Sequence, residues 1–296
     1  MVDASALGYH GPEFGFVVEA GKIRELARAV GSGQPAYLGP DPIAMPVLLK
    51  VAQFLWEPAE GSAVRRVGWD VRTPPLHARQ EFRFTGGAPP AGTALFVRTA
   101  VTDVRTRPSR SLGTAAEVRL DTEFRTGSGI LVATACTTSV QPLPNRDAAP
   151  AARPLTQLSD KAHVASRLAT ASRSQAARRL GPITQTEIVR YQGASGDFNP
   201  VHHDPAAAMR AGWPAVLVPG LYPAAVLCDL ATELYGAERI RSLDLRFLSP
   251  SWLGDRLRCE LRSTVRHAGG VLHAELACVR DSDRATITTA VATFVE

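Results

Sequence analysis

The chain has 296 residues, 45% hydrophobic and 21% charged, a globular composition with room for two ordinary domains or one large one. Its net charge of +5 comes almost wholly from arginines spread singly along the chain, a pattern that argues against a nucleic-acid-binding stripe. No apolar run approaches the ~20 residues of a membrane span, and the N-terminus lacks the basic-then-apolar pattern of a secretory signal.

Cys136, Cys228, Cys259 and Cys278 lie far apart with no CxxC pair, which points to a reducing, cytoplasmic setting and away from a zinc site or disulfide framework. Neither a metal nor a cofactor is expected.

In chain order, residues 16–31 ("FVVEAGKIRELARAVG") read as a strand end and a short helix, and residues 45–56 ("MPVLLKVAQFLW") as an apolar helix. Residues 79–104 then read as a strand pair, followed by two long alternating segments, "LGTAAEVRLDTEF" and "GILVATACTTSV". The same plan returns after residue 182. Residues 182–196 supply the short helix, residues 218–236 ("VPGLYPAAVLCDLATELYG") a longer apolar helix, and residues 242–267 the strand piece. Phe84 falls against Phe247 and Gly92 against Gly254, and two more alternating segments close the chain. A period near two marks antiparallel sheet with one buried face. A helix that is apolar nearly all round must be wrapped rather than laid on a surface. Two units are therefore expected, each a curved antiparallel sheet around one long apolar helix, an α+β architecture. The boundaries are 1–145 for the first unit, 146–181 for a Pro-, Ala- and Arg-rich linker, and 182–296 for the second.

The copies differ between their short and long helices. Here the second half carries "YQGASGDFNPVHHD", residues 191–204, where the first has only the shorter, histidine-free "SGQPAYLGPDPIA". Asp197 and His202 form a carboxylate–imidazole pair suited to gripping a water and moving its proton near neutral pH. Asn199 and Pro200 can stiffen the turn between them. An Asx-type turn with a surface histidine accounts for the spacing equally well. Downstream, Pro219 suits a first helical turn, and Gly220 leaves an amide exposed where negative charge can be received; an ordinary helix start is the other reading. Tyr191 is expected to pack in the core. A structural role is favoured for His77, with a place in the wall of a binding tunnel as the other reading.

The run Ser195, Gly196, Asp197, Asn199, Pro200, His202, followed by "AGW", "VPGL" and "LRFLSPSWLGD", resembles the MaoC-like, (R)-specific enoyl-CoA hydratase and dehydratase family of the hot-dog fold. The resemblance is specific from about residue 182 to the end and looser in the first half. It implies a double hot-dog chain with a non-catalytic first half. Asp197 and His202 would be its catalytic dyad and the Gly220 amide part of an oxyanion hole. Ser195, Asn199, Pro219 and Leu221 would contact substrate. The substrate would be a trans-2-enoyl or 3-hydroxyacyl thioester on CoA or acyl carrier protein, with no nucleic-acid or membrane partner, and a homodimer of such chains is compatible. Members often carry histidine where this chain has Pro219. Loss of the polar loop from the first half should free room there for an acyl group. A hot-dog thioesterase and a non-catalytic acyl-binding subunit are the competing readings.

Overall fold

The computed structural model describes residues 2–57, 59–70, 75–109, 113–143 and 176–295. Residues 146–175 of the expected linker lie outside that set.

Ten strands form one antiparallel sheet: β1 (Phe14–Val17), β2 (Leu76–Phe84), β3 (Ala94–Ser109), β4 (Gly113–Arg125), β5 (Leu131–Pro142), β6 (Ala177–Leu180), β7 (Ile240–Phe247), β8 (Leu257–His267), β9 (Val271–Arg280) and β10 (Thr286–Val295). Their order is β1-β3-β4-β5-β2-β7-β10-β9-β8-β6. Read from each edge inward, the second half repeats the first, each strand number raised by five. The duplication inferred from sequence is thus a duplication of topology, and the halves join through β2 and β7. That seam runs from Arg79↔Arg246 to Arg83↔Ser242. The Arg79 guanidinium clamps it by donating to both carboxylate oxygens of Asp244 at 2.8 and 2.7 Å, a bidentate charge-assisted pair. Gly92 and Gly254, matched by sequence, both have positive φ, at 85° and 90°, which a glycine adopts without strain.

The helices are α1 (Ala20–Ala29), α2 (Pro35–Leu38), α3 (Leu49–Trp56), α4 (Ala63–Arg66), α5 (Gln185–Ser195), α6 (Pro205–Arg210) and α7 (Leu221–Tyr235). In α7 every residue from Leu221 to Thr232 is buried, so the helix is enclosed by the sheet as its composition demands. Its buried charge is Asp229, which accepts from Gln34 Nε2 at 2.6 Å and pairs with Arg178. Gln34 and Tyr37 belong to the shorter first-half segment, and Tyr37 donates to Thr232 Oγ1 at 2.8 Å. Where the second half carries its polar loop, the first half therefore anchors α7.

Two expectations need correction. The first-half helix is not long: α3 has 8 residues after a 3-10 turn at Pro46–Leu48. It stops at Glu57, whose φ and ψ of −51° and −40° are still helical and whose amide bonds to the Gln53 carbonyl; the next residue in sequence is a proline, which has no N–H to continue the ladder. The end of the expected linker is not linker either: Ala177–Leu180 pairs with β8 as the edge strand β6. Among the described residues no helix is long and apolar enough to cross a membrane. Cys259 and Cys278, distant in sequence, are cross-strand partners; all four cysteines are free thiols and buried.

Candidate active site

The polar loop begins where α5 is made to end. A reciprocal cap between Thr184 and Glu187 starts that helix, and Gly196, at φ 79°, ends it in the left-handed conformation. Tyr191 is buried against Tyr222, with ring centroids 5.3 Å apart. Gln192, buried one turn earlier than the helix end, donates its amide to the Asp197 carbonyl at 2.7 Å. Asn199 caps the turn Pro200–His202 by accepting from the Val201 amide at 3.3 Å. The Asn199 amide points back at Asp197 Oδ1, 3.4 Å away. Each of these bonds is modest, but together they fix a loop with no regular ladder of its own.

The segment Val216–Val218 holds the other side. The Leu217 amide donates to the Val201 carbonyl at 3.1 Å, and the Leu217 carbonyl lies 3.0 Å from His202 Nδ1. A carbonyl can only accept, so Nδ1 carries the proton and Nε2 presents its lone pair. That Nε2 lies 3.7 Å from Asp197 Oδ2, close enough for both to touch one small oxygen. Burial pushes the Asp197 carboxyl above its ordinary value, an effect His202 opposes. Burial also pushes the His202 imidazole below its ordinary value, against the pull of Asp197 and the Leu217 carbonyl.

Gly220 is the residue just before α7 and has ordinary helical φ and ψ of −58° and −32°. The approach is close: a Cβ here would sit 3.2 Å from the Phe247 ring, which would have to give way by a few tenths of an ångström. Its amide donates to no backbone acceptor among the described residues, as expected at a helix start. A cavity of about 310 Å³ is walled by Asp197, His202, Gly220 and Phe247 from the second half, and by Lys50, Phe54, His77 and Leu120 from the first.

Of the residues singled out by sequence, Asp197, Asn199, His202, Gly220 and Leu221 wall this cavity. Ser195 and Pro219 do not. Ser195 is buried under the loop, where its hydroxyl accepts from the Asp197 amide at 3.2 Å. The Pro219 carbonyl accepts from the Tyr222 amide at 2.9 Å. The "HHD" triplet diverges, since His203 Nδ1 meets Gln192 Oε1 at 3.2 Å and Asp204 caps α6. Among the described residues no three histidine, cysteine or acidic side chains are grouped to hold a metal.

The first-half wall was missed. Lys50 is buried, and its Nζ lies 3.1 Å from Glu57 Oε1 and 4.8 Å from the Phe54 ring centroid. Both charges act on Asp197, Glu57 raising and Lys50 lowering its proton affinity. The available signal was a lone lysine inside an otherwise apolar helix, which a packed core tolerates only with a partner. His77, favoured as structural, lines the cavity with its ring 4.5 Å from that of Phe247.

Taken together, a doubled sheet wrapping a buried helix, with a polar loop over one helix start, defines a double hot-dog protein with one equipped half. Comparison with known proteins bears out the fold. Residues 167–279 match the MaoC-like domain. A UPF0336 protein of Clavibacter michiganensis subsp. michiganensis is 33% identical over 140 residues, covering 42% of this chain and 85% of that protein. The 3-hydroxyacyl-thioester dehydratase X of Mycobacterium tuberculosis is 38% identical over 69 residues, but only 23% of this chain and 24% of that enzyme are matched. Among solved structures, a MaoC-like dehydratase superposes with a TM-score of 0.74 at 16% identity, covering 99% of both chains. A Mycobacterium tuberculosis protein described as a double hot-dog fold gives 0.59 at 19% identity, covering 96% of both. The chain belongs to the MaoC-like dehydratase family, of the double hot-dog type. Hydration or dehydration of thioesters is the chemistry that membership supports.

Proposed function

We propose that this chain is a hydro-lyase that adds water reversibly across trans-2-enoyl thioesters to give (R)-3-hydroxyacyl thioesters. CoA and acyl carrier protein are both candidate carriers. The observation that carries the reading is the 3.7 Å separation of Asp197 Oδ2 and His202 Nε2 in a cavity that also takes in Gly220.

In the hydration direction a water lies between the carboxylate and the Nε2 lone pair. Its oxygen bonds to C3 while one of its protons passes to the dyad. The C2–C3 π electrons move onto C2 and the thioester oxygen, where the Gly220 amide and the positive end of α7 receive the charge. A proton from the dyad then closes C2, which balances the addition. Dehydration is the same path reversed. The two groups share protons, so they act as a pair and neither is assigned base or acid alone. Removing one oxyanion donor of this kind typically costs about 3–4 kcal/mol of barrier.

The test is crotonyl-CoA hydration followed by loss of enone absorbance, with free thiol measured in the same samples. Loss of absorbance without thiol release is expected. Thiol release at matching rates would replace the hydro-lyase with a thioesterase, and no change in either would leave an acyl-binding subunit.

A further inference from the structure

The Asp197 turn of the second half rests on a helix of the first. A Cβ placed on Gly196 would lie 3.6 Å from Phe54 Cβ, so α3 sits directly against that turn. Lys50, Phe54 and Glu57 are spaced i, i+4 and i+7, which puts them on one face of α3 and its end. All three wall the cavity beside Asp197 and Asn199. The face is built around the lysine. Its ammonium lies 3.1 Å from Glu57 Oε1 and 4.8 Å from the Phe54 ring centroid, and its side chain is only 7% exposed. Glu57 takes one of its three N–H groups, and no other acceptor for them lies among the described residues. A buried cation with a single acceptor stabilises a fold less than an apolar side chain of the same size would, so the pair needs a reason beyond packing.

The neighbours of Asp197 supply that reason. His202 and His203 come from its own loop, Tyr191 from α5, His77 from β2, and Lys50 and Glu57 from α3. Burial holds Tyr191 well above its ordinary value and His77 down at about 3, so both are neutral near pH 7. His203 is turned to Gln192. Against the burial that raises the Asp197 proton affinity stand His202 and Lys50, while Glu57 works with burial. We infer that Lys50 is a positioning residue acting through the dyad: its ammonium, seated on Phe54 and tempered by Glu57, keeps Asp197 a carboxylate when the reacting water is bound. This rests on the hydro-lyase reading and adds to it, because the half without a dyad then takes part in the chemistry.

The experiment is the pH profile of kcat/KM for crotonyl-CoA hydration in wild type, Lys50→Met, Lys50→Arg, Glu57→Gln and the double variant Lys50→Met with Glu57→Gln. The acid limb reports the first proton taken by the free dyad, whichever group takes it. Losing the cation should move that limb up by about half a pH unit or more, and losing the anion should move it down. Lys50→Arg should hold it near wild type, and the double variant should place it between the two singles. Damage to packing would lower kcat/KM at every pH without opposite movements of the limb. Glu57→Gln keeps the test decisive if Lys50→Met folds poorly. A limb that stays put in the single variants, or moves the same way in both, would overturn the inference while leaving the hydro-lyase standing. No hydration by wild type at any pH would remove the hydro-lyase reading and the inference together.

Discussion

Burial acts on His77 as it does on His202, but without a carboxylate at hand to offset it. Desolvation, helped by the charge of Lys50, pushes the His77 imidazole down to about 3. A folded value below the unfolded one of about 6.5 means the unfolded chain takes up the proton first. The contribution to stability is then fully present above about pH 6.5 and is lost as pH falls toward 3. Between pH 7 and pH 5 this single group should cost about 2 kcal/mol. His202 is shifted the same way and adds to the slope. His77→Phe should therefore flatten the loss of stability between pH 7 and pH 5, read from urea midpoints at the two pH values. An unchanged slope would mean that His77 accepts a proton readily in the folded chain.

At the scale of elements, α7 does two jobs: its first turn faces the cavity, and its middle is tied to both halves. Asp229, with no exposed surface, takes Gln34 from the first half and Arg178 from β6. Arg178 also reaches Glu233, one turn further along the same helix. Breaking a buried pair by removing one member typically costs about 3–5 kcal/mol, whereas replacing both with apolar groups is often close to neutral. Arg178→Met should lose about 3 kcal/mol in urea denaturation, and the double variant with Asp229→Leu should recover most of it. A double variant no better than the single would show that the tie to Gln34, not the ion pair, holds the helix.

The same scale explains what the sequence made legible. Alternation in "VLHAELACVR" and the all-round apolarity of "VPGLYPAAVLCDLATELYG" are local, and each specifies its element without reference to the rest. The loop could be read because the residues proposed to act together, Asp197 and His202, lie within one short run. Strand β6 was hidden because "ARRL" is too short and basic to show a period, and it becomes a strand only by pairing with β8. The brevity of α3 had a visible signal in the proline at position 58, which has no N–H to extend a helix, and the match to the longer second-half helix obscured it.

Across the whole molecule, the mirrored strand order brings β2 against β7, and this seam carries His77 to Phe247 and Lys50 within reach of Asp197. No local pattern encodes that meeting, so the dyad could be found in the sequence while the opposite wall of its cavity could not. On the proposed reading the halves divide the labour: the second holds the acid, the imidazole and the helix start, and the first supplies part of the cavity wall. Among the described residues the first half has no carboxylate–histidine pair to stand in for the second. One substitution should therefore silence the entire chain. Wild type, Asp197→Asn and His202→Ala compared on crotonyl-CoA by loss of enone absorbance test this most directly. Each variant should fall about 100- to 10,000-fold in kcat while still folding. A folded variant that hydrates crotonyl-CoA within a few-fold of wild type would contradict the account.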